Sequence, residues 1–495
     1  MSQKRKSVVL VTVDCLRADH VGFMGYEGPT TPFLDSLARE SLVFRQATVA
    51  GAPTYYSVPA ILASRYPLAL GRDVLGLGQN EPTIATVLKE SGYATGAFVA
   101  GNPYIARRFG YDRGFDVFRD FLHEEPSLAS EESFEPRNPG WASRINRSLQ
   151  KIRPALGPIG SVYDEVYFRY CQRATKVPES LDALRRFPAA DVVVDQALDW
   201  LGTVGNAPFL LWLHLMDPHA PYYPKREALE LMGESQITPY QARYLNSYWN
   251  RADLGARRLR GRSKEIVALY DAGIRWVDAQ VARMIEALRR SDRWNDCVFA
   301  LTADHGEEFL DHDGRFHPPS GLRQELIHVP LLLRAPGHEG RNEEKSPFSL
   351  IHLAPTILEA VEGHIPEEFR GRSYWQSRSG ASTVAISECI YGCTNPFRRA
   401  NRLGPRVLSV RESRFKLVLF FDPPREYLYD LEADPEENAP VERADQTPVR
   451  RRLLEIAHEH LRRSVERDVR IRAQAQLREL QLEWIHPQKT PASAV

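Results

Sequence analysis

Four short segments carry side chains suited to chemistry, and each follows an apolar, strand-like run or enters a helix. Asp14, in Val11-Thr12-Val13-Asp14-Cys15-Leu16-Arg17, is a hard oxygen donor for a divalent cation. Asp304 and His305, adjacent in Leu301-Thr302-Ala303-Asp304-His305-Gly306, can both turn toward one cation, with the glycine expected to let the backbone bend sharply. Thr54, in Pro53-Thr54-Tyr55-Tyr56-Ser57, stands at or near the N-cap of a helix. A hydroxyl there lies beside free backbone N–H groups and the positive end of the helix dipole, which favours an alkoxide or a tetrahedral oxyanion ester. His219, in Met216-Asp217-Pro218-His219-Ala220-Pro221, sits on a loop stiffened by proline. Each has a plain structural explanation when taken alone: a helix cap, an ion pair, a surface histidine. Their common position after strands, where α/β folds build their sites, is what joins them into a candidate centre for a cation and an anion.

The elements that must position these residues alternate. Apolar runs at Val8 to Val13, Leu42 to Ala47, Ala94 to Ala100, Phe209 to Leu215 and Cys297 to Ala303 read as buried strands. Between them, helices are expected from Thr31-Pro32 to Glu40, with Thr31 as N-cap, from Thr54 to Ala63, from Glu81-Pro82 to Gly92, over Asp191 to Leu201 and over Lys264 to Arg290. Such alternation predicts an α/β fold with a mainly parallel central sheet flanked by helices, over residues 1–373. The proline-rich, charged stretch 121–187 reads as an insertion over the sheet edge. From 374 to 446 the strand signals at Val407 to Val410, Phe415 to Phe421 and Tyr427 to Leu431 predict a smaller C-terminal α+β unit with an antiparallel sheet. The tail 447–495 reads as one helix, with Leu453, Ala457, Leu461, Val465, Ala473, Leu477 and Trp484 recurring mostly every four residues. It is expected to pack on its own protein or to serve a homo-oligomer.

In a chain of 495 residues, Lys+Arg and Asp+Glu are equal at 64 each, so no global field favours nucleic acid or an anionic membrane. Asp14, Arg17 and Asp19 interrupt the first apolar run too soon for a signal peptide, and no later run approaches the ~18 apolar residues of a membrane helix. Five scattered cysteines, Cys15, Cys171, Cys297, Cys389 and Cys393, fit reduced thiols. A cytoplasmic location is the expectation.

In order and spacing, the four segments resemble those of the sulfatase family within the alkaline phosphatase superfamily. The resemblance runs from Val8 to about Asn438 and includes Thr31-Pro32-Phe33-Leu34-Asp35, Tyr270 to Asp278, Glu325 to Leu331, Leu353-Ala354-Pro355-Thr356 and Leu428-Tyr429-Asp430-Leu431. It implies that Asp14, Asp304 and His305 bind a divalent cation that also contacts Thr54, and that His219 grips the anion. His317, twelve positions beyond His305, fills a further anion-binding slot, and Asn102 in Gly101-Asn102-Pro103-Tyr104 a pocket position. Tyr104 is a further candidate for the pocket wall, with Tyr55, Tyr56 and Tyr222. The donor set suits Mn²⁺, Zn²⁺, Mg²⁺ or Ca²⁺. The departures are as informative. Formylglycine members carry a Cys-x-Pro-x-Arg core, and here Thr54, Tyr56 and Val58 stand at its Cys, Pro and Arg positions. Cys15 occupies a slot often held by Asp or Gln. The expected activity is hydrolysis of a phosphate, phosphonate or sulfate ester of a small anionic molecule through a covalent Thr54 intermediate. Its rivals are transfer of the group to an acceptor and a non-catalytic binding module.

Overall fold

The computed structural model describes residues 5–69, 71, 74–122, 158–337, 342–377, 384–441 and 447–479. Eight strands form the central sheet in the order Glu343–Glu344, Leu42–Phe44, Leu331–Arg334, Cys297–Ala303, Ser7–Val13, Phe209–Leu215, Ala94–Val99, Val117–Arg119. All neighbours are parallel except that Leu331–Arg334 runs antiparallel to both of its partners. The three central strands are buried along their whole length, which is why they read as unbroken apolar runs. Their register matters most for function. Val13 pairs with Leu215 on one side and Ala303 on the other, so the three strands end level and Asp14 and Asp304 emerge side by side.

The helix Ser263–Arg290 buries Ile266, Tyr270, Ile274, Val277, Val281 and Met284, a stripe at helical spacing. It also supplies a cap that the sequence assigned elsewhere. The helix Pro32–Ala38 starts after Thr31, but Thr31 makes no side-chain cap bond; its hydroxyl donates to Asp35 Oδ1 at 2.9 Å. The N–H groups of Phe33 and Leu34 donate instead to the Asp278 carboxylate at 3.2 and 2.9 Å. Burial pushes the Asp278 carboxyl up to about 6 despite those bonds.

Of the stretch read as an insertion, 123–157 lies outside the described residues. Its described part contains the helix Pro158–Ala174, which packs Phe168 against Tyr244 and Tyr248 and pairs Glu165 with Arg251 at 2.7 Å. Among the described residues, no helix is long and apolar enough to cross a membrane.

The smaller C-terminal domain is an antiparallel sheet of Val384–Ile390, Arg406–Glu412, Phe415–Phe421 and Pro424–Asp430, joined in sequence order. The helix Thr447–Glu479 lays Leu453 and Ala457 into one cluster with Leu408, Val410 and Leu417 of that sheet. This apolar face is therefore spent within the chain as far as its side chains are described; Val465, Ala473, Leu477 and Trp484 lie outside that description. The helix also brings His460 Nε2 to 3.1 Å from Glu388 Oε2, beside Arg406, while Glu388 Oε1 accepts the N–H of Leu68 at 2.8 Å. Burial alone would raise the Glu388 carboxyl, but Arg406 and His460 outweigh it and hold the group at about 2, below its ordinary 4.5. A depressed acid stabilises the fold above its unfolded value and loses that contribution as pH falls from about 4.5 toward about 2. Deleting the chain from Thr447 should therefore lower Tm and weaken this acid-labile contribution while leaving metal content unchanged. Leu453→Ala alone should cost about 3 kcal/mol. Calorimetry across that pH range checks both, and an unchanged Tm after deletion would show that the helix does not hold the sheet.

Candidate active site

Immediately after Val13 the chain turns through Cys15, whose φ of 61° is left-handed and rare for a residue with a Cβ. The turn is clamped by buried Tyr270, whose hydroxyl donates to the Cys15 carbonyl at 2.7 Å and accepts from Arg17 N–H at 2.9 Å. Asp14 and Cys15 are thereby both buried at the strand end, with Cys15 Sγ 3.2 Å from Asp14 Oδ1.

At the neighbouring strand end, His305 Nδ1 lies 2.8 Å from the Gly306 carbonyl. A carbonyl only accepts, so Nδ1 carries a hydrogen, and in the neutral ring Nε2 is a lone pair. That lone pair lies 3.2 Å from Thr54 Oγ1, 3.5 Å from Asp14 Oδ1 and 3.6 Å from Asp304 Oδ2. Gly306 does not adopt a left-handed φ, so the freedom expected of its backbone is not used in that way. An ideal Cβ there would lie 1.9 Å from the Glu325 carbonyl oxygen, so the position demands a missing side chain rather than a special φ. Gly306→Ala should cost about 3 kcal/mol or more and displace His305, because backbone rather than a movable side chain opposes it. Denaturant unfolding measures the loss, and a wild-type midpoint would refute the close approach.

Thr54 is the first residue of the helix Thr54–Ala63, one position inside the expected cap, which is Pro53. Its side chain is buried; the Tyr56 and Ser57 N–H groups donate to the Pro53 carbonyl at 2.8 and 3.4 Å, so the N–H groups left at the helix start are those of Thr54 and Tyr55. Asn102 Nδ2 donates to Asp14 Oδ2 at 2.8 Å, so its amide is used to orient the carboxylate. His214 also reaches Asp14, with Nε2 3.3 Å from Oδ2. Its Nδ1 lies 2.9 Å from Thr12 Oγ1, which accepts from Trp212 Nε1 at 3.0 Å. Sequence reasoning passed over His214; the available signal was a histidine inside an otherwise apolar, wholly buried strand.

The electrostatics are those of a place made for a cation. Burial opposes ionisation of Asp14, yet His219, His214 and His305 hold it well below the ordinary carboxylate range. Burial and the Asp14 charge push Asp304 upward, and its Oδ2 is buried without a hydrogen-bond partner. Two carboxylates this close ionise together only if further positive charge is supplied. Ligand atoms of Asp14, His214 and Asp304 lie within 4.8 Å of one another, as do those of Asp14, Cys15 and His305. The unpartnered oxygen and the free imidazole lone pair fit a divalent ion.

The His317 ring stands 4.7 Å from that of His305 and 5.0 Å from that of His219, so both histidines border the same centre. The tyrosines mostly do not. Tyr55 donates its hydroxyl to the Cys393 carbonyl and Tyr56 accepts Ile390 N–H at 3.2 Å, whereas Tyr222 packs against Tyr270 and Phe309 with its hydroxyl beside Glu307. Tyr104 joins an aromatic stack, 5.0 Å from Tyr55 and 5.3 Å from Phe397, while its N–H caps Asn102 Oδ1 at 2.9 Å. Val58, in place of the family's arginine, is fully buried.

A mainly parallel sheet whose strand ends gather carboxylates and imidazoles around a helix-end hydroxyl has the framework of an ester hydrolase, with side chains that could hold a cation. The family model described as Sulfatase matches residues 6–364, and the chain belongs to that family, a hydrolase of ester bonds to sulfur or phosphorus. A second model, N-sulphoglucosamine sulphohydrolase, C-terminal, matches residues 312–463. The multifunctional alkaline phosphatase superfamily protein PehA of Trinickia caryophylli is 26% identical over 411 residues, covering 74% of this chain and 76% of PehA. An arylsulfatase of Clostridium perfringens is 23% identical over 403 residues, covering 74% and 77%. The fold matches that of the phosphonate monoester hydrolase of Agrobacterium radiobacter with a TM-score of 0.61 at 19% identity, over 94% of this chain and 96% of that one.

Proposed function

We propose that the protein hydrolyses phosphate or phosphonate esters in preference to sulfate esters, with Thr54 as nucleophile and a divalent cation held by Asp14, Asp304 and His305. The observation that carries this reading is the Thr54 hydroxyl, buried at a helix N-terminus 3.2 Å from the free Nε2 of His305. When bound there, a divalent ion makes a hydroxyl more acidic and stabilises charge on the oxygens of the transferring group. The chain supplies the rest. Thr54 Oγ1 gives up its proton and forms a bond to phosphorus as the ester oxygen departs and takes up a proton; the N–H groups of Thr54 and Tyr55, at the helix start, face the charge that develops. His219 and His317 border the side where the departing oxygen needs a proton or positive charge. Water then attacks phosphorus, the Thr54 ester breaks and the hydroxyl is restored. Asn102 keeps Asp14 oriented throughout.

The preference for phosphorus follows from the side chain. A formylglycine hydrate expels sulfate by collapsing to an aldehyde, whereas a threonine sulfate ester must wait for a second attack at sulfur. Phosphoryl transfer depends mainly on positioning and charge, both of which this site offers. Matched aryl phosphate, phosphonate and sulfate esters should therefore give kcat/KM values that favour the phosphorus substrates. A sulfate preference would overturn the substrate class.

A further inference from the structure

Beside the Asp14–His305 group, four more side chains converge: Cys15, His219, His317 and Glu307. Ligand atoms of Cys15, His219 and His317 lie within 4.8 Å of one another. Cys15 Sγ is 3.4 Å from His317 Nδ1, and the same Nδ1 is 3.3 Å from Glu307 Oε2. The Glu307 side chain has no solvent exposure and lies beside the Cys15 thiol and the buried Tyr222 hydroxyl.

The fold assembles this group by separate devices. The left-handed turn at Cys15 puts its side chain beside Asp14 at the strand end. The short hairpin that pairs Glu308 with Phe316 sets His317 opposite Glu307. His219 reaches in from the loop after Phe209–Leu215; its Nδ1 bonds the Ala220 carbonyl and must carry a hydrogen, which in the neutral ring leaves Nε2 as a lone pair.

The spacings fit those of ligands around one cation. A charge-assisted N–H···O⁻ bond closes to about 2.7–2.9 Å, and one Nδ1 hydrogen cannot serve a thiol and a carboxylate well at once. In a tetrahedral centre with metal–N or metal–O bonds of about 2.0–2.2 Å and metal–S of about 2.3 Å, neighbouring ligand atoms stand roughly 3.3–3.6 Å apart. The contacts at 3.3 and 3.4 Å match those edges. A thiol with two imidazoles favours a borderline-soft ion over Mg²⁺ or Ca²⁺.

We propose that Cys15, His219, His317 and Glu307 form a second cation site, suited to Zn²⁺, next to the one built on Asp14, Asp304 and His305. It refines the ester-hydrolase reading at one point: the positive charge facing the departing oxygen comes from a cation that the two histidines hold. It does not depend on Thr54.

The test uses the full-length chain produced in zinc-depleted, Co²⁺-supplemented medium, with metal counted by mass spectrometry and the near-ultraviolet spectrum recorded. About two ions per chain are expected, with an intense thiolate-to-Co²⁺ band. Cys15→Ser, and independently His317→Ala at a partly exposed position, should each remove about one ion and the band. Asp304→Asn should remove the other ion and keep the band. Thermal melts confirm that each variant is folded. One ion per chain that needs Asp304 but not Cys15 overturns the second site alone and leaves the hydrolase reading standing. A band that Asp304→Asn abolishes and His317→Ala spares overturns it too, because Cys15 would then belong to the Asp14 centre. Absence of any bound ion overturns both.

Discussion

Thr54→Ala should lower kcat/KM for an aryl phosphate by about 10³-fold or more while leaving Tm near the wild-type value. The alanine keeps the helix start and removes the γ-methyl together with the oxygen that lies 3.2 Å from His305 Nε2. The nearby Ser57 is a poor substitute, since its hydroxyl is donated to the Thr54 carbonyl at 3.2 Å. Thr54→Ser should retain much of the activity, as it preserves the hydroxyl at the same depth. Assays must compare phosphate, phosphonate and sulfate esters in each variant. If Thr54→Ala leaves activity on every substrate unchanged, the nucleophile is wrong. If only sulfate turnover depends on Thr54, the site stands and the choice of phosphorus falls.

Removing the cation should have an effect of similar size, because a threonine hydroxyl near neutral pH is too weak an acid to attack unaided. Asp304→Asn and His305→Ala should each cost about 10²–10⁴-fold in kcat/KM. Stability provides an independent readout. In the wild type a chelator leaves Asp14 and Asp304 facing each other without compensation, so Tm should fall. In Asp304→Asn one of the two charges is gone, so the chelator should lower Tm less than in the wild type. Full activity of metal-free protein, or equal chelator sensitivity of wild type and Asp304→Asn, would refute a cation at this place.

Two of the three central strands, Phe209–Leu215 and Cys297–Ala303, were legible to the residue and Ser7–Val13 to within one, because burial on both faces leaves a continuous apolar run. Asp14, Asp304 and His305 were legible for the same reason: they are the first polar residues after those runs. Leu331–Arg334 was not recognised as a strand, being four residues long and joined to a motif already read for another purpose. The helix Pro158–Ala174 was missed because its partners, Tyr244, Tyr248 and Arg251, come from a distant segment, so its periodicity is weak on its own. The cap of Pro32–Ala38 was misassigned because a threonine before a proline is a strong local signal, while Asp278 lies far along the chain. His214 and Glu307 escaped notice because nothing in a sequence reports that a strand's register or a hairpin's pairing will turn them toward Asp14 and His317. Gly306 was chosen correctly for the wrong reason. Local conformation can be read from a sequence, whereas the carbonyl that excludes a Cβ arrives from the segment Gln324–Ile327.

The most direct test of the account is the covalent step itself. The protein should be mixed with excess aryl phosphate, quenched in acid within one turnover, digested and mapped by mass spectrometry. A phosphoryl group on the peptide that carries Thr54, formed no more slowly than turnover and absent from Thr54→Ala, is the predicted result. A chain that turns over the substrate while the Thr54 peptide stays unmodified, or that carries the group on another residue, would contradict it.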